Sequence, residues 1–360
     1  MEKTESTQQI VLEILRRSEY VSGEEIAETL KISRTAVWKA VSQLRKDGWA
    51  IDAANNRGYR LCAEKSAVSA LGITENLERI AKSSGICVDF FPSIDSTNNE
   101  LKRQAASASS IRDAQGNLTE AGKRLHKRAV VAGEQTGGRG RLGRAFFSGR
   151  DNGVYMSLFY SPKSGVTDPA RMTANAAVAV CRALSALFGV EAGIKWVNDV
   201  FLHGKKICGI LAEGVSNLET GLIDGAVVGI GINISSPETL SEEIRSVAGF
   251  LEDADEMKGK SADKNKLIAT VLCELASIYD AEEAGNSEEM QKALDEYRSR
   301  SILTAQSVLV TPVIGEERTA YQARVIGIED DLSLLVEKSD GERLSLKSGE
   351  VSLHSSFLAH

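Results

Sequence analysis

The first sixty residues read as short amphipathic helices separated by tight turns. Ile10, Val11, Ile14 and Leu15 recur at helical spacing from Gln8 to Arg17, and Ile26, Ala27 and Leu30 repeat the pattern from Gly23 to Leu30. Ser33 is placed to cap a third helix whose apolar stripe, Val37, Ala40, Val41 and Leu44, stops at Gly48. "WAIDAANNRGYRL" then predicts two strands around an Asn55-Asn56-Arg57-Gly58 turn. From about Gly85 the period changes. "ICVDFF", "RAVVAGEQ", "VYMSLFY", "IKWVNDVFL", "KKICGILAEG" and "GAVVGIGINIS" predict strands, with a long alanine-rich helix from Ala170 to Phe188 among them. After a helical, acidic stretch from Glu252 to Arg298, four alternating segments beginning at "AQSVLVTP" predict a small β-barrel.

Composition narrows the class. A chain of 360 residues with 42% hydrophobic and 26% charged residues predicts two or three globular domains. It has no apolar run of membrane-spanning length, and "MEKTESTQQI" lacks a secretory pattern, so a cytoplasmic protein with no membrane partner is expected. Five scattered cysteines without a C-x-x-C pair and only four histidines predict reduced thiols rather than disulfides or a structural metal.

Net charge is −7, yet Lys31, Arg34, Lys39, Arg45, Lys46, Arg57 and Arg60 crowd residues 31–60 against only Asp47 and Asp52. Three helices and a two-stranded wing predict a winged helix-turn-helix. Ser33, Arg34, Thr35, Trp38 and Lys39 would then enter a major groove, with Arg57 and Arg60 meeting phosphate or the minor groove.

The other unusual stretch is "GEQTGGRGRLGRAFFS", Gly133 to Ser148. Its glycines fit two phosphate-loop templates by spacing, but "AFFSG" does not open a helix and Arg144-Ala145 replaces the Lys-Ser/Thr pair. Close backbone approach at the glycines, together with the fork-shaped donors of Arg139, Arg141 and Arg144, points to an anion as guest. "SIDSTNNEL" places Ser96, Thr97 and Asn98 at a helix start, a cluster fit to hydrogen-bond a polar ring or carboxylate.

"DSTNNEL", "EQTGGRGRLGRAFFS", "KWVNDV", "KKICGIL" and "VVGIGINI" occur in an order and spacing that resemble biotin protein ligases, and the preceding winged helix resembles the bifunctional kind that also represses biotin genes. The resemblance implies a multidomain α+β protein. Its parts would be a winged helix-turn-helix over 1–64, a ligase domain with a mixed sheet over 80–303, and an SH3-like β-barrel over 304–357. It implies that biotin and ATP, with Mg²⁺, form biotinyl-5′-AMP, and that the biotinyl group passes to one lysine of a biotin carboxyl carrier protein. It also implies operator DNA as a partner and a homodimer when the adenylate is bound.

By the same resemblance, Ser96, Thr97, Asn98 and Gln135 hold the biotin ring. Arg139, Gly140, Arg141, Lys206, Gly209 and Gly229 meet biotin and its carboxylate, Arg141 also meets the adenylate phosphate, and Lys206, with Arg141, is catalytic. Arg144, Phe146, Lys195, Asn198, Asp199 and Asn233 lie near the nucleotide, Asp199 serving any Mg²⁺. Three residues depart from the family pattern: Val197 where proline is common, Leu142 where arginine is, and Phe146 where tryptophan often stacks on adenine. Residues 104–128 form a long polar stretch without an assigned role. A biotin-sensing regulator without catalysis, and a ligase for lipoate or a related acid, are the alternative readings.

Overall fold

The computed structural model describes residues 7–17, 20–46, 49, 51–54, 57–61, 68–82, 84–108, 110–163, 168–216, 223–237, 242–311 and 319–353. Gly48, Asn55, Asn56, Cys62 and the outer ends of the first and last expected domains lie outside the described residues.

Helices α1 (Thr7–Arg17), α2 (Gly23–Leu30) and α3 (Arg34–Lys46) pack with the hairpin β1 (Ile51–Ala54) and β2 (Gly58–Leu61) around their own core, which includes Val11, Leu12, Leu15, Ile26, Val37, Val41, Leu44 and Trp49. Most of the predicted stripe residues are buried, while Ile10, Ile14 and Leu30 are half-buried and Leu12, outside the predicted stripe, is fully buried. Ser22 caps α2 by accepting from Glu25 N at 3.0 Å, and Ser33 caps α3 by accepting from Ala36 N at 3.2 Å. Between them Lys31 takes a left-handed conformation that turns the chain sharply. Gly58, at φ +93, starts β2 where any Cβ would run into the backbone of Val21, which bridges to Tyr59.

Helix α4 (Ala70–Ile80), which hydrophobic patterning did not anticipate, follows. It is capped by Ser69 and packs on α9 (Lys264–Glu283), with Ser69 N donating to Asn265 Oδ1 at 3.0 Å. It also meets the N-terminal helices: Arg16 on α1 reaches Glu75 at 2.7 Å.

The central sheet contains β3 (Cys87–Phe91), β4 (Arg128–Ala132), β5 (Gly153–Tyr160), β6 (Gly193–Lys195), β7 (Asp199–Leu202), β8 (Lys205–Ser216) and β9 (Ile223–Asn233), in the order β3-β4-β5-β9-β8-β7-β6. Only β3 and β4 run parallel, so the sheet is mixed, as expected. The segment "IKWVNDVFL" is a hairpin of β6 and β7 rather than one strand, because Trp196 to Asn198 turn the chain back. One face is covered by α7 (Pro169–Phe188) and α9. Asp168 caps α7, Pro169 opens it and Gly189 closes it at φ 69, while its alanines let the helix lie close to the sheet. The other face carries α5 (Thr97–Ser107) and α6 (Glu120–Leu125), which, with Ile111 between them, bury Leu101, Ala105 and Leu125 against Val130, Phe159 and Val227.

The polar stretch 104–128 thus has a structural task. It completes α5, turns through a bridge between Arg112 and Leu118, and delivers α6 to the second core. Arg112 pins it: its guanidinium donates to Gly116 O at 2.7 Å, Ser161 Oγ at 2.9 Å, Asp224 O at 3.2 Å and, more closely, Pro162 O.

After α8 (Glu242–Val247), α9 and α10 (Ser287–Ser299), strands β10 (Ser307–Thr311), β11 (Tyr321–Ile328), β12 (Leu334–Lys338), β13 (Arg343–Leu346) and β14 (Glu350–Leu353) form an antiparallel sheet in the order β13-β12-β11-β10-β14. The expectation of a barrel is met only at the coarser level of a C-terminal antiparallel sheet. β13 and β14 stand at opposite edges and, among the described residues, do not pair to close it.

Arg112→Leu should therefore lower stability by about 3 kcal/mol, because several carbonyls lose their donor together. Urea unfolding measures this, and a loss under about 1 kcal/mol would show that the stretch is held by its apolar contacts alone.

Candidate active site

A cleft of about 270 Å³ opens on the α5 face of the sheet. Its floor is made of backbone. Antiparallel register sets Ser157, Gly229 and Leu211 in one row across β5, β9 and β8, and Tyr155, Gly231 and Gly209 in the next. A Cβ at Gly229 would collide with the Asn98 amide, and one at Gly231 with the Phe146 ring. Glycine is therefore required at both positions for these side chains to reach the sheet.

The start of α5 forms a neutral wall. Ser96 is its N-cap, accepting from Asn99 N at 3.5 Å. Thr97 donates to Gln135 Oε1 from its backbone N at 2.8 Å and its hydroxyl at 3.1 Å, and Gln135 Nε2 donates to Ser148 Oγ at 3.0 Å. Asn98 Nδ2 donates to Glu213 Oε2 at 2.7 Å and Leu211 O at 3.2 Å. Ser157 Oγ, 2.7 Å from Thr97 Oγ1, donates to Asn98 Oδ1 at 2.6 Å. Burial alone would raise the Glu213 carboxyl, but bonds from Lys102 at 2.8 Å and from Asn98 outweigh it and hold the group below the ordinary glutamate range.

The Gly-Arg loop and strands β6 and β8 add the cations. The Gly-Arg loop folds on itself, with Gly140 N donating to Arg144 O at 2.7 Å and Phe146 N to Gly138 O at 2.9 Å. It contains one 3-10 turn, Arg141–Gly143, with Leu142 at φ 55, and opens no α-helix. Arg141 donates to Asn198 Oδ1 at 3.0 Å and to Gly349 O at 3.4 Å, and Arg139 to Asn99 Oδ1. Lys206 on β8 pairs with Asp199 on β7 at 2.8 Å. Arg139, Arg141, Arg144, Lys195 and Lys206 all line the cleft, and Asp199 is the single carboxylate among the described lining residues. Such a surface attracts a ligand bearing several negative charges and a neutral polar group.

Two buried contacts hold the turn that carries Asn198 and Asp199. Tyr297 Oη on α10 donates to Val197 O at 3.1 Å, and Trp196 Nε1 donates to Leu332 O at 2.8 Å. Among the described residues no group of three or more His, Cys, Asp and Glu is arranged to hold a metal ion. No described helix is long and apolar enough to cross a membrane.

An HTH-domain family model matches residues 7–60, and the biotin/lipoate A/B protein ligase family model matches residues 113–233. The bifunctional ligase/repressor BirA of Bacillus subtilis (strain 168) is 29% identical over 335 residues, 90% of this chain and 91% of that protein. BirA of Escherichia coli (strain K12) is 28% identical over 347 residues, covering 96% of both chains. A biotin protein ligase from Aquifex aeolicus, solved with biotin and ATP, superposes with a TM-score of 0.58 at 25% identity, over 74% of this chain and 98% of that one.

The chain is thus similar to biotin protein ligases over most of its length.

The cleft gathers nearly all of the site residues singled out by sequence: Ser96, Thr97, Asn98, Gln135, Arg139, Gly140, Arg141, Arg144, Phe146, Lys195, Asn198, Asp199, Lys206, Gly209 and Gly229. Asn233 is not in the lining. Its amide donates to Gly249 O at 3.1 Å and Lys206 O at 3.4 Å, tying the end of β9 to its neighbours. Ser157, Glu213, Lys102 and Tyr297 were missed. Ser157 and Glu213 sit on strands at positions whose partners are set by register, and nothing local in the sequence marks them.

At the N-terminal domain, Ser33, Arg34, Thr35, Trp38 and Lys39 are exposed together, Trp38 at 58%. Arg57 and Arg60 both lie over Tyr20, at 5.7 and 5.0 Å from its ring centroid, which ties the wing to the segment after α1.

Gly229→Ala should displace the Asn98 amide from its partners and lower stability by about 1–3 kcal/mol. Thermal or urea unfolding checks it, and an unchanged midpoint would mean that Asn98 is not held against the strand.

Proposed function

We propose that this ligase joins biotin to the α-phosphate of ATP, passes the biotinyl group to a lysine of a biotin carboxyl carrier protein, and represses biotin genes when loaded with the adenylate. The observation that carries the reading is that one cleft joins a neutral hydrogen-bonding wall to a lining of five cations and one carboxylate. A cyclic urea suits the first. A carboxylate meeting a triphosphate needs the second, because the two anions repel until their charge is offset.

In this reading the carboxylate oxygen of biotin attacks the α-phosphorus and pyrophosphate leaves. The carrier lysine then attacks the acyl carbon and AMP leaves. Lys206, between the glycine floor and Asp199, stabilises charge on both the carboxylate and the α-phosphate. Arg139, Gly140 and Arg141 hold the carboxylate and phosphate, and Ser96, Thr97, Asn98 and Gln135 hold the urea. Arg144, Lys195 and Asn198 face the nucleotide, and Phe146 stacks on adenine in place of the usual tryptophan. Asn233 supports the nucleotide end through the strand terminus it ties down. Asp199, the one carboxylate among the described lining residues, would hold a Mg²⁺ that accompanies ATP, and the ion would supply further offset to the phosphate charge.

The working parts are residues 1–64, 80–303 and 304–357. The last acts as an SH3-like cap: Gly349, Val351 and Ser352 line the cleft, and Gly349 accepts from Arg141, which supports closure over the nucleotide. The exposed face of α3 and the Tyr20-stacked arginines suit operator DNA, and two such modules related by a two-fold axis suit a homodimer reading paired half-sites.

Lys206→Ala should slow biotin-dependent pyrophosphate release by about 100-fold or more without unfolding the chain. Release at the wild-type rate would remove Lys206 from catalysis, and no biotin-dependent release by the wild type would overturn the reading. For repression, a gel shift on DNA upstream of biotin synthesis genes should show binding that strengthens with biotin and ATP and weakens when carrier drains the adenylate. Equal binding in the empty and loaded states would contradict the coupling.

A further inference from the structure

The neutral wall carries a directional code. Glu213 is ionised and, like the Leu211 carbonyl, can only accept, so the Asn98 nitrogen must face both of them, at 2.7 and 3.2 Å. Both Nδ2 hydrogens are thereby used. Asn98 Oδ1 takes one bond, from Ser157 at 2.6 Å, and keeps one lone pair beside the cleft. At Gln135 the polarity is reversed. Thr97 N can only donate, which fixes Gln135 Oε1 towards it at 2.8 Å, and Nε2 donates once, to Ser148 Oγ. Among the described residues, one N–H of Gln135 remains for a ligand.

We infer that Glu213, with Ser157 at the other end of the same amide, is a specificity-determining positioning residue that locks Asn98 to present an acceptor. The cleft then offers one acceptor from Asn98 and one donor from Gln135, the complement of a ring containing an N–H beside a C=O. This rests on the biotin reading and adds to it the residue that sets which ureido edge is recognised. Glu213 touches no ligand in this account. It acts through Asn98, and Lys102, at 2.8 Å from its other oxygen, keeps it in place. Glycine at 229 is part of the device, since a Cβ there would push Asn98 Oδ1 away from the strand.

The test uses the full chain and two readouts. In pyrophosphate release with biotin and with each analogue bearing a methyl on one ureido nitrogen, the wild type should prefer biotin over one of the two analogues by about tenfold or more, because methylation removes the matched N–H. Glu213→Leu frees the amide, so the KM for biotin should rise about tenfold with the KM for ATP unchanged, and the preference should shrink towards unity. Glu213→Gln, which retains one acceptor oxygen, should recover part of it. Ser157→Ala, acting on the other end, should reduce the preference too and serves where Glu213→Leu does not fold.

The second readout needs no substrate: with asparagine labelled by ¹⁵N, the Asn98 side-chain NH₂ should exchange slowly in the wild type and faster in Glu213→Leu. Unchanged selectivity and unchanged exchange in these variants would overturn the inference. A wild type that ignores biotin but shows the slow exchange would instead sink the biotin reading and leave the locked amide standing.

Discussion

The site depends on the register of three antiparallel strands. Because β5, β9 and β8 align Ser157 with Gly229 and Leu211, and Tyr155 with Gly231 and Gly209, a patch of bare backbone opens in the middle of the sheet. Everything that forms the cleft is measured from that patch. Asn98 rests on Gly229, Phe146 on Gly231 and Gly209, and the Lys206 amine lies beside Gly209. A slip of one residue would turn these glycines to the α7 and α9 side and bring apolar side chains into the cleft. The two helical layers therefore do more than bury area: α7 and α9 fix which face the floor belongs to.

Charge is distributed on that floor with little mixing. The α5 end is built from amides and hydroxyls that bond mainly to one another, and the ion pair behind it, Lys102 with Glu213, balances itself. The loop end holds its cations close together, with Asn198, Asn99, Gly349 and Asp199 as partners. Arginines so assembled repel one another, and a polyanionic ligand relieves the repulsion. The Gly349 contact also links this end to the C-terminal sheet, so a ligand that draws on Arg141 acts on a second domain.

How much of this was legible in the sequence follows from how local each feature is. The helix-turn-helix could be read because its stripes, caps and turns lie within a few residues of one another, as with Ser33 and the α3 stripe. The loop and the α5 start could be read because glycine, arginine and small polar residues at those spacings are costly elsewhere. Ser157 and Glu213 look like ordinary strand residues, and only pairing across the sheet makes them part of the site. Tyr297 lies about a hundred positions from the carbonyl that it holds, and α4 was hidden because its packing partner is the distant α9. The residues 104–128, polar as a run, fold around the buried guanidinium of Arg112, which composition could not reveal. The closed barrel was read from alternation, which predicts strands but not whether the edge strands meet.

The most direct test of the account is a crystal structure of the chain with biotin bound. The account predicts the urea between Asn98 and Gln135, the ring over Gly229 and the carboxylate directed to Lys206 and Arg141. Biotin bound away from the glycine patch, or lying there with its carboxylate at the α5 end, would contradict it.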